Sequence, residues 1–103
     1  MNQFGEQIRL LREQCGLLQR QVASQVEMDI PMLSKIERGE RNAKREQVTT
    51  FSKIFNFPED ELLSLWLADK VFEVIKNEDV ALKALSVTEN ELRKMKMLSE
   101  NSH

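Results

Sequence analysis

Five cations, Lys35, Arg38, Arg41, Lys44 and Arg45, share the stretch from 35 to 45 with only two anions, Glu37 and Glu40. Such a cluster can form charge-assisted hydrogen bonds to phosphate oxygens, and a lysine or arginine within it can donate to paired acceptors. Taken alone, the run SKIERGERN (34–42) also fits a solvated helix end. Other chemistries find little support. His103 is the single histidine and occupies the last position, so no histidine-based dyad, triad or metal site is expected. Cys15 is the single cysteine, with no second thiol or basic partner spaced to activate it, and reads as a small buried residue near a helix end. The carboxylates have surface-helix spacing, and no glycine loop is shaped to cradle a phosphate. These residues point to binding and away from catalysis; no enzyme activity, cofactor or metal is expected.

With 103 residues, 41% of them hydrophobic, the chain can build one small core with an appended segment. Only 3 Gly and 2 Pro, no Tyr, and abundant Leu, Glu, Lys, Gln and Met favour helices throughout, so the expected class is all-α. A lone cysteine forms no internal disulfide and suits a reduced cytoplasm. The start, MNQFGE, lacks a basic stretch followed by an apolar run, and no segment approaches the ~20 apolar residues needed to cross a bilayer. A net charge of −2 argues mildly against a nucleic-acid partner. That average hides an asymmetry. Residues 1–57 hold nine cations against seven anions, and residues 58–103 hold six against ten, giving +2 and −4. An acidic second half would limit nonspecific adhesion to DNA while leaving one patch able to meet phosphates.

The elements that must position the patch follow from apolar spacing. Phe4, Ile8 and Leu11 define a first helix over Phe4–Gln14, with Gly16 where a left-handed cap is needed. Val22, Ala23 and Val26 mark a short second helix over Gln19–Val26. Asp29 can cap a third, Pro31 is tolerated in its first turn, and Gly39 stops it near Arg38. Val48, Phe51, Ile54 and Phe55 line a fourth helix over Lys44–Phe55. Glu59, Asp60 and Glu61 suit the first turn of a fifth, which runs to about Lys76 and is apolar on more than one stripe. Glu78–Leu85 reads as a short sixth helix, and Thr88-Glu89-Asn90-Glu91 matches a capping box opening a seventh. The tail Asn101-Ser102-His103 is expected to be disordered.

The second and third helices are joined by about three residues, the spacing of a helix-turn-helix, which by itself fits any helical hairpin. In order along the chain, however, Gly16-Leu17-Leu18-Gln19, Val22-Ala23, Met28-Asp29, Leu33-Ser34-Lys35-Ile36-Glu37-Arg38-Gly39 and Arg41-Asn42 resemble the phage-repressor, Cro-like (XRE-type) helix-turn-helix family. The resemblance covers roughly residues 4 to 62 and implies a five-helix domain that binds double-stranded DNA. It places Ile30–Arg38 as the recognition helix. Periodicity agrees: at ~100° per residue, Leu33 and Ile36 share one side, while Pro31, Ser34, Lys35 and Arg38 share the other, flanked by Ile30. Lys35 could donate to guanine, Ser34 could bond many base edges, and Ile30 or Pro31 could meet a thymine methyl. The resemblance further implies that Gln19 fixes a phosphate and that Arg41, Asn42, Lys44 and Arg45 follow the backbone, positioning without reading. It also implies a structural ion pair between Glu37 and Arg12.

Three positions depart from the family pattern. Leu18 stands where a Ser or Thr cap is usual, Glu27 stands at a turn position often held by Gly, and Ile30-Pro31-Met32 replaces polar readers. Apolar readers shift the expected specificity toward thymine methyls and DNA shape. The segment 81–93 also scans as helix, turn, helix, but Glu89 and Glu91 would repel phosphates, so helical packing is the better reading.

The expected organisation is a DNA-binding domain over residues 1–62 and a helical extension over 63–103. Trp66, Leu67, Val71, Phe72, Val74 and Ile75 exceed what a small domain can bury, and they are expected to pair two copies on an inverted-repeat operator. The alternative is an interaction module, such as an antitoxin, whose C-terminal helices hold a protein partner while DNA binding is secondary. Phage-type repressors and controllers of restriction-modification operons share this size and layout.

Overall fold

A computed structural model describes residues 1–100. Among them are α1 (Gln3–Gln14), α2 (Gln19–Gln25), α3 (Ile30–Glu37), α4 (Arg45–Phe55), α5 (Glu59–Ile75) and α6 (Ala81–Glu100), and no strand. Helices α1 to α4 and most of α5 belong to the first of two compact units, Met1–Phe72; the second is Glu73–His103. The tail at 101–103 lies outside the described residues.

The first unit is organised by apolar side chains at helical spacing. Ile8 on α1, Val22 on α2, Leu33 on α3, Val48 and Phe51 on α4, and Leu62 on α5 are fully buried and share one core. Each contributes about 1.5–3 kcal/mol by leaving water. Phe51 sits at the centre, edge-on to Phe4 with ring centroids 6.0 Å apart and stacked on Phe55 at 6.2 Å. Leu63, Leu65 and Trp66 pack against this core too, so the unit runs past the break expected at residue 62. Gly5 is buried where α1 crosses α3, and a Cβ there would collide with the Ile36 carbonyl.

Helices α1 to α4 all stop by the same device. A residue with positive φ, Gly16 (67°), Glu27 (57°), Gly39 (77°) or Asn56 (48°), turns the chain so that two successive amides reach back to the last turn. At the end of α2, for example, the Glu27 amide donates to the Ser24 carbonyl at 3.3 Å and the Met28 amide to the Ala23 carbonyl at 3.0 Å. These bonds satisfy carbonyls that the helix leaves unpaired. Cys15, expected to be buried, is exposed, because it follows the last turn of α1 after Leu11 has filled the core position.

In the second unit, the expected sixth and seventh helices are one continuous helix, α6. No glycine or proline interrupts residues 78–100. The Thr88 hydroxyl, expected to cap a new helix, instead donates to the Ala84 carbonyl of the preceding turn at 2.9 Å. Pairs Glu89–Arg93 (2.8 Å) and Glu91–Lys94 (3.6 Å) place the anion toward the N-terminus, the favourable order along a helix. The helix-turn-helix pattern read at 81–93 is therefore absent. No side chain of α6 is buried; Leu82, Leu92, Met95 and Leu98 are all exposed.

Candidate nucleic-acid interface

Helix α3 owes its direction to its first turn. The Asp29 carboxylate accepts from the Met32 amide at 2.8 Å, and Pro31 occupies a position whose missing amide costs nothing. Leu33, Ile36 and Glu37 are buried, and Met32 packs against the core. The opposite side presents Ile30, Pro31, Lys35 and Arg38 to solvent, with Ser34 half-buried beside them. Ile30 keeps 46% of its surface exposed, a large apolar exposure at the tip of a helix.

The buried Glu37 carboxylate accepts from Arg12 Nε at 2.7 Å and Nη2 at 3.0 Å, and from Gln19 Nε2 at 3.1 Å. Arg12 Nη1 donates in turn to the Leu17 carbonyl at 3.0 Å. Donating these hydrogen bonds to Glu37 holds the Arg12 guanidinium above its ordinary pKa, against the lowering effect of burial. This network joins α1, the start of α2 and α3, and sets where the exposed side of α3 lies. The Gln19 side chain is engaged with Glu37, which leaves its backbone amide, at the first turn of α2, as its group for an anion. Leucine at 18 cannot accept a hydrogen bond, so the cap of α2 is half a box: Gln21 Oε1 accepts from the Leu18 amide at 2.7 Å.

Beyond α3, Arg41, Asn42, Lys44 and Arg45 are exposed, while Ala43 among them is buried. The Ala43 carbonyl accepts from the Trp66 indole N–H at 2.7 Å. Trp66, expected at a dimer surface, is half-buried in its own domain, where its N–H finds a partner and anchors this loop. Lys70 stacks on the outer face of the ring, 4.1 Å from its centroid. A second clamp holds the start of α1. The Asp69 carboxylate accepts from the Gln3 and Phe4 amides, both at 3.0 Å. Asn2 accepts from the Gly5 amide and donates to the Glu37 carbonyl at 2.9 Å. Asparagine just ahead of a helix is a residue type that caps it, whereas Asp69 has no such local signal, since its partner is remote in the chain.

Two of the expected readers are engaged with each other. Arg38 Nη1 donates to Ser34 Oγ, and Arg38 Nη2 donates to Glu40 Oε2 at 2.8 Å. Lys35 forms no ion pair of this kind among the described residues. A hollow of ≈ 300 Å³ beside the turn is lined by Glu27 and Asp29 together with Met28, Met32, Asn42, Lys44 and Gln47. Its two carboxylates make it a poor seat for phosphate. Among the described residues no group of three or more His, Cys, Asp or Glu could hold a metal ion, and no helix is long and apolar enough to cross a membrane.

A family model for a helix-turn-helix domain matches residues 3–65, more than half of the chain. The chain belongs to the helix-turn-helix domain family. No curated protein matches it in sequence. The matched stretch spans every candidate residue named above, from Gln19 to Arg45, and the helix-turn-helix domain is a DNA-binding domain. The match stops at residue 65, before the Trp66 and Asp69 clamps.

Proposed function

We propose that the protein is a sequence-specific regulator of transcription that binds an inverted-repeat operator as a homodimer and acts by occupying it. The observation that carries this reading is the division of α3: Leu33, Ile36 and Glu37 are buried while Ile30, Pro31, Lys35 and Arg38 are exposed, directly before a loop of exposed cations. Lys35, Ser34 and Arg38 read base edges in the major groove, and Ile30 and Pro31 meet thymine methyls. Gln19, Arg41, Asn42, Lys44 and Arg45 hold phosphates and fix the register.

The pairing of two copies is supported by the exposed apolar residues on the last turns of α5. Leu67, Val71 and Phe72 are exposed in the first unit; in the second, Val74 is exposed and Ile75 half-buried. Two-fold symmetry would present two recognition helices about one DNA turn, ~34 Å, apart. The exposed Leu82, Leu92, Met95 and Leu98 of α6 favour a second reading, in which this helix holds a protein partner, as in an antitoxin.

Selection of bound duplexes from a random pool tests the reading. Lys35→Ala should relax preference at one position per half-site, at a cost of ~1–3 kcal/mol, while Arg45→Ala should weaken all duplexes alike and flatten the salt dependence. Identical effects from the two substitutions would contradict the division into reader and anchor. Light scattering at micromolar concentration should give the dimer mass; a monomer would overturn the pairing.

A further inference from the structure

Helix α5 brings one cation to the loop that follows α3. Residues 54–69 hold four anions and no lysine or arginine, so Lys70 is the first cation after Lys53. Its side chain is exposed and lies over the Trp66 ring, with Nζ 4.1 Å from the centroid. The indole N–H of that ring donates to the Ala43 carbonyl at 2.7 Å. One ring thus touches both the ammonium and the middle of the loop, which puts Nζ within about 10 Å of the Ala43 carbonyl, the screening length at about 0.1 M salt. Ala43 is buried, and Arg41, Asn42, Lys44 and Arg45 around it are exposed.

Ion pairing gives Lys70 no other task. Leu67 and Trp66 stand three and four residues before it, where a helix would seat a carboxylate partner. Glu73, three residues after it, pairs with Lys76 at 2.8 Å, and Asp69 is turned to the Gln3 and Phe4 amides. Lys70, like Arg41, Lys44 and Arg45, forms no salt bridge among the described residues. Stacking on the ring steadies the lysine stem without neutralising its charge, so the ammonium keeps donors for phosphate oxygens.

We infer that Lys70 is a further phosphate-binding residue, held by the Trp66 ring beside the loop so that its ammonium meets the DNA backbone together with Arg41, Lys44 and Arg45. The inference rests on the proposed DNA-binding role. Lys70 lies beyond residues 3–65, the stretch matched by the helix-turn-helix family model, so the rest of α5 adds a contact that the matched stretch lacks. A lysine is a point charge on a flexible stem, so Lys70 strengthens binding to every duplex and reads no base.

The test uses the full chain with Lys70→Met, which still covers the Trp66 ring but carries no charge, with Lys70→Arg, which keeps the charge, and with Lys83→Met, which removes an exposed lysine of α6. Fluorescence anisotropy would follow binding to a duplex recovered by selection and to the same duplex with its sequence scrambled, across a series of salt concentrations. Lys70→Met should weaken binding to both duplexes alike, by about threefold to tenfold per protomer bound at ~0.1 M salt, with a salt slope shallower by about one per protomer. Lys70→Arg and Lys83→Met should keep the parent slope. A slope unchanged in Lys70→Met would reduce Lys70 to a cover for Trp66 and overturn the inference. An equal loss of slope in Lys83→Met would show an effect of overall charge and overturn it too, as would a loss in Lys70→Arg matching that of Lys70→Met. Failure of the unaltered protein to bind either duplex would instead overturn the DNA-binding role, and this inference with it. Thermal melting of each variant verifies that it is folded.

Discussion

Replacing Glu37 should unfold the domain at a temperature far below that of the parent, and the size of the effect can be worked from its surroundings. Its carboxylate is almost fully buried and accepts three hydrogen bonds, two from Arg12 and one from Gln19. In Glu37→Ala the guanidinium, whose side chain is only 13% exposed, keeps its bond to the Leu17 carbonyl but loses its counter-ion. Removing one partner of a buried pair costs ~3–5 kcal/mol. The partial exposure of Arg12 and its surviving bond place this case at the lower end, about 3 kcal/mol. At ~4–8 °C per kcal/mol for a domain of this size, the melting temperature should fall by about 12–24 °C. The assay is thermal unfolding followed by circular dichroism, repeated on Arg12→Leu combined with Glu37→Leu. Because the cost lies in stranding a charge, the double variant should recover most of the loss. A loss below about 1 kcal/mol in Glu37→Ala, or a double variant no more stable than the single one, would refute this reasoning.

Glu27→Gly should stabilise the protein by ~0.5–1 kcal/mol in denaturant unfolding, because Glu27 is held at φ 57° where a side chain is strained and glycine is not. Trp66→Phe keeps the ring but leaves the Ala43 carbonyl without its donor, so stability should fall by ~1 kcal/mol and binding should weaken equally on all duplexes as the loop loosens. Asp69→Ala removes the acceptor for two first-turn amides of α1 and should cost ~0.5–2 kcal/mol, measured as a lower melting temperature.

Local signals carried the reading a long way within the first unit. Helical spacing of Phe4, Ile8, Val22, Leu33, Val48 and Phe51 marks residues that share one core, and Asp29, Gly16 and Gly39 mark helix ends that form where their chemistry allows. What escaped depends on contacts distant in sequence. Trp66 looked like surplus apolar surface because the carbonyl that receives its N–H belongs to Ala43, 23 residues earlier. Asp69 caps a helix 65 residues away. At Thr88 two local options were equally available to one hydroxyl, capping a new helix or bonding back to the previous turn, and in a stretch without glycine or proline the continuous helix wins. Glu40 was counted as one more charge in a crowded run, since its bond to Arg38 depends on the turn that Gly39 makes.

Titrating the isotope-labelled protein with a selected duplex and following each backbone amide by NMR would test most directly whether the exposed side of α3 is the DNA surface. Amides of Ile30–Arg38 and of residues 41–45, with Gln19 at the start of α2, should shift together as duplex is added, while those of α6 stay in place. Shifts confined to the end of α5 and to α6, with residues 30–45 unmoved, would contradict it.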